Sequence, residues 1–304
     1  MLELIASGLV VIQSLLPVAL VSQGYERVTD QAVAQRAVTS PRAILETPEY
    51  LPMPTASSDL ELSQDNKASL VYDRATGTVL YEKNADTKLP IASITKVMTA
   101  LVILQNHNLD ETVTVPLLAP QPFGSQAINI SAGEQFKLSE ALMGTLIYSA
   151  NDMAQALAVW DSGSESKFVD KMNAQAKLWG LNNTEFKDAT GLSPNGSMSS
   201  ARDLSILSSI ALRSDFFRTA TSQPRYSVTT LSGKRYFVTT TNKLLGTWGV
   251  IGTKTGYTLE AGECLLSLTS RQGHEIIGVI LGSSDRFGQT KVLLNTTYAN
   301  YQWK

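Results

Sequence analysis

A serine and a lysine stand three residues apart in Ser93-Ile94-Thr95-Lys96, where a run of helical apolar spacing from Ser93 to Gln105 begins. Residues three apart lie on one face of a helix, so the hydroxyl and the amine come within reach of each other. A serine hydroxyl is a weak nucleophile until a base takes its proton. A lysine amine can be that base if burial and the helix N-terminus lower its pKa toward neutrality. Ser93 and Lys96 are therefore a candidate nucleophile and base.

The same spacing occurs again at Ser164 and Lys167. A serine and a lysine at this spacing are expected roughly once by chance in a chain of this size. Ser164 lies in the polar stretch 161–167, which favours a solvated loop or a helix start. Ser93 instead lies between the apolar stretches 89–92 and 97–101, so we interpret only Ser93 as catalytic.

Two further short patterns carry polar groups suited to the same chemistry. Ser149-Ala150-Asn151 lies at the junction of two predicted helices, but by itself it also fits a helix cap, as does Ser193-Pro194-Asn195 in a predicted loop. Lys254-Thr255-Gly256 occurs once, just before a predicted hairpin. A strand there would present a cation, a hydroxyl and a backbone free of side chains to a ligand along its edge.

Composition excludes several other classes of function. With 304 residues the chain is long enough for one large domain or two modest ones. The formal net charge of −2 does not suggest the basic face that nucleic-acid binding needs. Cys264 is the single cysteine, and His107 and His274 are the only histidines, so neither a disulfide nor a Cys/His metal site is expected. No metal and no cofactor is predicted.

Between residues 69 and 281, strand patterns at both ends enclose a mainly helical middle. Predicted hairpins join residues 69–73 to 78–81 and residues 263–269 to 275–281. The predicted helices cover 93–105, 140–148 with Ser139 as its cap, 151–160, and 204–212 with a capping box from Ser200 to Asp203. This order predicts a mixed α/β domain with an antiparallel sheet and an inserted helical region.

The first 66 residues show neither the strand patterns nor the chemical motifs of the rest of the chain. Leu4 to Val21 is mostly apolar and indicates a signal peptide or N-terminal membrane anchor at 1–24, although Glu3 stands where a basic residue is usual. A buried N-terminal helix is the alternative. Residues 25–66 carry four prolines without a sustained period and are predicted to be a linker, followed by a catalytic domain at 67–304.

The ordered set Ser-x-x-Lys, Ser-x-Asn and Lys-Thr-Gly is the signature of penicillin-binding proteins and class A β-lactamases. From about Ala68 onward the chain resembles the D-alanyl-D-alanine carboxypeptidase family of low-molecular-weight penicillin-binding proteins. The likeness extends to 89–100, 149–152, 173–192, 200–203, 241–242 and 261–262. It implies a β-lactamase/D,D-peptidase-like α/β fold, with an antiparallel sheet flanked by helices and an inserted helical subdomain.

The resemblance also implies catalytic roles. Ser93 would attack the carbonyl between two D-alanines, and Lys96 would accept its proton. Ser149 would relay a proton to the leaving amine, while Asn151 would hold the substrate amide and orient Lys96. The backbone N–H groups of Ser93 and Tyr257 would form the oxyanion hole.

For the substrate, the resemblance implies that Lys254 and Thr255 bind the terminal carboxylate and that Gly256 permits close approach. Arg286 is interpreted as little more than a surface arginine. The implied activity is a penicillin-sensitive serine carboxypeptidase acting on peptidoglycan stem pentapeptides outside the cytoplasm. Its partners would be those stem peptides, β-lactams as covalent inhibitors, and the membrane through an uncleaved N-terminal segment, with no nucleic acid.

Three alternatives compete with this function. A class A β-lactamase places an Asn four residues after its deacylating Glu, but Glu165 and Glu185 are followed at that distance by Val169 and Ala189. D,D-endopeptidase cleavage of cross-links stays open, because it uses the same catalytic set and the chain stops where the catalytic domain should end. An inactive cell-wall or penicillin-binding module is the alternative of another class.

Overall fold

The computed structural model describes residues 51–55, 65–121, 124–193 and 196–304. The helices are α1 Lys96–Asn106, α2 Leu138–Met143, α3 Asn151–Ser162, α4 Glu165–Leu178, α5 Ala201–Ala211, α6 Asp215–Thr221 and α7 Arg286–Asn300. The strands are β1 Pro52–Pro54, β2 Ala68–Asp73, β3 Val79–Lys83, β4 Leu89–Pro90, β5 Thr112–Thr114, β6 Gln135–Lys137, β7 Met198–Ser199, β8 Arg225–Thr229, β9 Arg235–Thr239, β10 Val250–Thr258, β11 Gly262–Arg271, β12 His274–Ser283 and β13 Tyr301–Trp303.

The central sheet has five antiparallel strands in the order β10-β11-β12-β2-β3. Successive residues of a strand point to opposite faces, and here both faces are covered. Leu265 and Ile276 face the same cluster as Leu293 and Leu294 of α7, whereas their neighbours Leu266 and Ile277 face the main core. The middle parts of β11 and β12 are therefore mostly apolar on both faces, and the predicted antiparallel sheet is confirmed.

The helical region lies between β3 and β10, as predicted. Its central helix is α1, buried from Lys96 to Ile103 and contacted by α3, α4 and α5. Helix α5 packs on β2 and β12 from the side opposite α7. Because α1 is enclosed by helices on several sides, groups at its N-terminus are removed from bulk water.

Two predicted helix starts differ from the structure. The first α-helix begins at Lys96 and not at Ser93, because Ala92–Thr95 forms a 3-10 turn. The prediction of Ser139 as a cap is wrong, since α2 begins at Leu138 after Lys137. The first two N–H groups of α2 already donate to backbone carbonyls of Glu111 and Leu109, at 2.8 and 3.0 Å. No side-chain cap is needed there. The Ser200 cap is observed, accepting from the Asp203 N–H at 3.1 Å.

Residues 52–54, inside the predicted linker, form strand β1 and pair antiparallel with β13. The prolines are tolerated because the ladder hydrogen bonds use the backbone of Leu51 and Thr55 on either side of them. The predicted signal or anchor at 1–24 and linker residues 25–50 and 56–64 lie outside the described residues. Within the described part, no helix has the length and apolar character needed to cross a membrane.

Candidate active site

Ser93 lies in the 3-10 turn just before α1, with its side chain partly exposed. The turn is held by Thr95 Oγ1, which donates to the carbonyl of Ala92 at 2.8 Å, and Ala92 itself has a positive φ of 47°. Lys96 Nζ lies 3.0 Å from Ser93 Oγ. The three-residue spacing thus brings hydroxyl and amine together although the serine is not in the α-helix.

The Lys96 amine is fully enclosed, with 0% of the residue exposed. Nζ donates to Ser93 Oγ, to Asn151 Oδ1 at 2.6 Å and to the Thr190 carbonyl at 2.7 Å. Burial lowers the pKa of Lys96 to about 7, while the negative charges of Asp188 and Asp152 oppose this shift. The pKa of the Lys96 amine is therefore close to the value that a base needs at neutral pH.

The second motif is positioned by a sharp break between helices. After α2 the chain makes a π-helical turn, Gly144–Tyr148, and Ser149 then adopts a left-handed conformation with φ 67° and ψ 33°. This break makes Asn151 the first residue of α3, where its side-chain oxygen Oδ1 accepts a hydrogen bond from Lys96 Nζ. Ser149 Oγ is buried, and among the described residues it has no hydrogen-bond partner. An unpaired buried hydroxyl is available to a substrate or to a proton in transfer.

The third motif lies on β10, which forms one edge of the described central sheet. A Cβ on Gly256 would lie 2.7 Å from the Ile91 carbonyl oxygen and 3.2 Å from the Ser93 nitrogen. Only glycine therefore allows β10 to lie against the nucleophile's turn. Next to it, Tyr257 is 55% exposed. The edge strand β10 thus lies in backbone contact with the Ser93 turn, and an edge strand can accept an extended peptide as an added strand.

Lys254 is buried beneath this edge, and its Nζ donates to the Thr255 carbonyl at 3.0 Å. Burial lowers the pKa of Lys254 well below its usual range, and the positive charges of Lys96 and Arg286 lower it further. The Thr255 hydroxyl shares a 2.5 Å hydrogen bond with the hydroxyl of Thr241. A buried cation whose charged neighbours are also positive is stabilised by a bound anion.

Arg286 differs from its interpretation as a surface arginine. It is the first residue of α7, is half-buried, and its Nη1 donates to the Gly256 carbonyl at 2.8 Å. Arg286 Nε is buried and unpaired within the described part of the chain. The sequence lacked a signal for this placement because α7 reaches β10 only through the folded sheet.

The sequence interpretation also missed a loop beside Lys96. The Asp188 carboxylate accepts hydrogen bonds from the loop that follows it, and this loop supplies the Thr190 carbonyl to Lys96. The segment appears in the sequence only as Thr190-Gly191-Leu192, with no spacing that marks Asp188 as special. In contrast, Ser164 is a helix cap that accepts from the Lys167 N–H, as expected for a chance match. In the described residues, no three His, Cys, Asp or Glu side chains are grouped to hold a metal ion.

Comparisons with known proteins identify the family of this chain. Residues 54–285 match the family described as D-alanyl-D-alanine carboxypeptidase. The D-alanyl-D-alanine carboxypeptidase DacF of Bacillus subtilis is 36% identical over 80% of this chain, which spans 64% of that protein's length. A D-alanyl-D-alanine endopeptidase of Pseudomonas aeruginosa is 34% identical, over 78% of this chain and 77% of its own.

A solved structure extends the likeness to the fold. Penicillin-binding protein D2 of Listeria monocytogenes, in its cefotaxime-bound form, has a TM-score of 0.68 and 31% identity, covering 78% of this chain and 98% of that one. The similarity covers the sheet, the helical region and all three motifs, since the family match runs from before β2 to the N-cap of α7. The chain belongs to the D-alanyl-D-alanine carboxypeptidase family.

Proposed function

We propose that this protein is a serine-type carboxypeptidase that removes the terminal D-alanine from peptidoglycan stem pentapeptides through an acyl-enzyme on Ser93. One observation carries the proposal: a buried Lys96 amine, with its pKa lowered to about 7, lies 3.0 Å from the Ser93 hydroxyl oxygen. The names of the Bacillus and Pseudomonas relatives support the D-alanyl-D-alanine bond as the target.

Lys96 is arranged to act as the base. A neutral amine has two N–H bonds and one lone pair. Of the three groups around Nζ, the Asn151 amide oxygen and the Thr190 carbonyl can only accept, so they take the two N–H bonds. The lone pair then faces Ser93 Oγ, whose hydroxyl can donate. Neutral Lys96 is thus oriented to receive the serine proton.

Acylation proceeds as Ser93 Oγ bonds to the carbonyl carbon between the two D-alanines and the C–N bond breaks. The serine proton passes to Lys96 and from there, through Ser149, to the amine of the departing D-alanine. The backbone N–H groups of Ser93 and Tyr257 stabilise the oxyanion. Water then hydrolyses the Ser93 ester, which regenerates the hydroxyl and releases the shortened peptide.

The terminal carboxylate is bound by Lys254, Thr255 and Arg286. Lys254 and Arg286 supply positive charge at β10, and a carboxylate arriving there restores the pKa of the buried Lys254 toward its usual range. The Thr255 hydroxyl, bridged to Thr241, adds a directional hydrogen bond. Recognition of a free carboxylate confines cleavage to the end of the peptide.

We also propose β-lactams as covalent inhibitors, because they present a strained amide and a carboxylate to the same groups. The Listeria relative is known in a cefotaxime-bound form. The reaction takes place outside the cytoplasm, where peptidoglycan lies, with the N-terminal segment directing export or anchoring the protein to the membrane. Residues 25–66 would then connect this segment to the catalytic domain at 67–304.

Endopeptidase cleavage of peptidoglycan cross-links is the second candidate. The Pseudomonas relative that carries the name endopeptidase is 34% identical to this chain, and the match covers 77% of that relative's length. A cross-linked substrate offers a D-alanyl amide bond to the same serine, with a second stem peptide in place of D-alanine as the leaving amine.

Two substrates and two variants test the proposal. The purified protein is incubated with a stem pentapeptide and with a cross-linked peptide dimer, and released products are separated by mass. Release of D-alanine from the pentapeptide is expected, and cleavage of the dimer alone would favour the endopeptidase. Fluorescent penicillin should label the protein but not Ser93→Ala, while Ser164→Ala labels normally because that serine only caps α4. Persistent labelling of Ser93→Ala would remove Ser93 as nucleophile.

A further inference from the structure

Asp188 organises the loop of residues 188–193. One carboxylate oxygen accepts from the Thr190 N–H at 2.6 Å, from the Thr190 hydroxyl at 2.9 Å and from the Gly191 N–H. The other accepts from the Ser193 N–H at 2.6 Å. Four donors thus converge on a single side chain, and the loop's backbone is closed around it.

The loop contacts both members of the reactive pair. Its Thr190 carbonyl accepts from Lys96 Nζ at 2.7 Å, and this bond joins residues 94 positions apart in the chain. Gly191, with φ +84°, lies so close to the Ser93 turn that a Cβ there would be 1.9 Å from the Ala92 carbonyl oxygen. Asp188 therefore fixes a backbone that touches the base on one side and the nucleophile's turn on the other.

The carboxylate also acts on Lys96 through its charge. The charged groups facing Lys96 come from three elements: Asp188 in the loop and Asp152 on α3, which are negative, and Lys254 on β10, which is positive. Burial lowers the pKa of Lys96, and two negative charges oppose this change. Of these two, Asp188 raises the pKa more than Asp152 does. The Asp188 carboxyl forms no direct hydrogen bond to Lys96 in the described structure, so its action passes through the loop and through space.

We propose that Asp188 is a positioning residue for the Ser93–Lys96 pair, which holds the Thr190 carbonyl against the base and sets the pH range in which the pair reacts. This inference rests on the proposed function, since it concerns the same reaction. By directing one Lys96 N–H to Thr190, the loop leaves the lone pair for Ser93. By its charge, it keeps the amine basic enough to accept the serine proton.

Two variants separate position from charge. Asp188→Asn removes the charge but keeps an oxygen for the three donors on one side, losing only the acceptor for the Ser193 N–H. Asp188→Ala removes both the charge and all four contacts. Glu165→Gln is the matched control, because Glu165 accepts from the neighbouring Ala189 N–H at 3.0 Å but is not among the charges acting on Lys96.

The measurement is the rate of acylation by fluorescent penicillin between pH 5 and 9, for the full chain and each variant. For Asp188→Asn we expect the high-pH plateau to stay within about threefold of the unaltered protein, since most of the loop contacts persist. Its rate at pH 5.5, relative to its own plateau, should rise at least about twofold, because loss of a negative charge lowers the pKa of Lys96. Asp188→Ala should show the same shift with a plateau lower by about 10- to 100-fold. Glu165→Gln should keep both plateau and shape.

A second readout does not depend on catalysis. The Lys96 side chain, labelled with ¹³C at Cε, is titrated by NMR in the unaltered protein and in Asp188→Asn, and the midpoint should move to lower pH in the variant. An unchanged midpoint and an unchanged pH profile in both Asp188 variants would overturn the inference, as would a lower plateau with no shift, which marks a purely structural role. Absence of penicillin acylation in the unaltered protein would instead overturn the proposed function.

Discussion

At the scale of single residues, the site is built on two buried lysines with opposite requirements. Burial lowers the pKa of both Lys96 and Lys254. For Lys96 this favours the proposed reaction, in which the neutral amine acts as the base. Lys254 is proposed to act as a cation, so its charge is needed only when a carboxylate is bound. Arg286, which stays protonated at physiological pH, supplies positive charge before the substrate arrives.

The pH dependence of acylation follows from Lys96. Its pKa of about 7 means that the neutral base predominates above pH 7 and is protonated below it. We expect the acylation rate by fluorescent penicillin to be level above this pH and to fall about tenfold for each pH unit below it. A rate that stays constant from pH 5 to 8 would show that Lys96 is not the titrating base.

Alanine variants distinguish the two lysines. Lys96→Ala removes the proposed base and should nearly abolish both peptide turnover and penicillin acylation. Lys254→Ala removes the proposed contact to the substrate carboxylate, worth about 2–4 kcal/mol, so peptide cleavage should fall about thirty-fold to a thousand-fold while slower acylation remains detectable. Normal acylation of Lys96→Ala together with complete inertness of Lys254→Ala would reverse the two assignments.

At the scale of elements, the site depends on three segments that lie in backbone contact. The 3-10 turn Ala92–Thr95 carries Ser93, the proposed nucleophile. Strand β10 lies against this turn at Gly256, and the 188–193 loop lies against it at Gly191. Such close approach needs residues without a Cβ. The relative positions of these three segments are thus set by contacts of their backbones.

Gly191→Ala tests this contact. The new Cβ would lie 1.9 Å from the Ala92 carbonyl oxygen, and φ is +84°. We expect the free energy of unfolding to fall by at most several kcal/mol. The acylation rate should fall by at least about 100-fold, because the turn that carries Ser93 must shift. The control is Gly163→Ala, where φ is +75° but nothing lies within 4 Å of a Cβ.

The control separates conformational strain from the clash. Gly163→Ala should lower the unfolding free energy by about 1–2 kcal/mol, the cost of a left-handed alanine, and leave acylation unchanged. Thermal unfolding and penicillin labelling of both variants give the comparison. If Gly191→Ala acylates as fast as Gly163→Ala, the loop does not support the nucleophile's turn.

At the scale of the whole molecule, the two ends of the described chain are joined. Strand β1 pairs with β13, and Trp303 in β13 is stacked on His274 with ring centroids 4.8 Å apart. The Trp303 indole N–H donates to Asp73 Oδ2 at 2.7 Å, on a carboxylate that is completely buried. Strand β13 therefore links strand β1 to the central sheet.

Trp303→Phe keeps an aromatic ring but removes this hydrogen bond. We expect the free energy of unfolding to fall by about 1.5–3 kcal/mol, since a buried carboxylate loses a donor, with no change in penicillin acylation. Denaturant unfolding measures the difference. Trp248→Phe is the control, because Trp248 is 49% exposed and should change stability by less than about 0.5 kcal/mol. Equal effects of the two substitutions would contradict a structural role for the Trp303 contact.

The proposed export is also tested on the whole chain. A reporter that is active only outside the cytoplasm, fused after Asn66 of the full-length chain, should be active in a bacterial host. The physical reason is the apolar run from Leu4 to Val21 ahead of a proline-containing segment. Cytoplasmic accumulation of an inactive reporter would exclude the proposed location.

Local patterns in the sequence were enough for the two hairpins, for four of the seven helices in the described residues, and for the three motifs. The hairpins around residues 74–77 and 271–273 follow from strand-forming residues beside turns, and the Ser93–Lys96 contact follows from spacing along a few residues. The family and the fold class also followed, because the order of the motifs along the chain is a sequence property. The predicted cap at Ser139 failed because long-range backbone contacts replaced it.

Tertiary structure alone decided the electrostatics of the site. The pKa of Lys96 depends on burial and on partners 55 and 94 residues away, and no spacing rule connects residues so distant. The same holds for Asp188, whose effect requires the loop to lie against α1, and for Arg286, which meets Gly256 only across the sheet. Sequence determined which groups the chain carries and how neighbours are spaced. Folding determined which of them lose water and which charges they then face, and these set their chemistry.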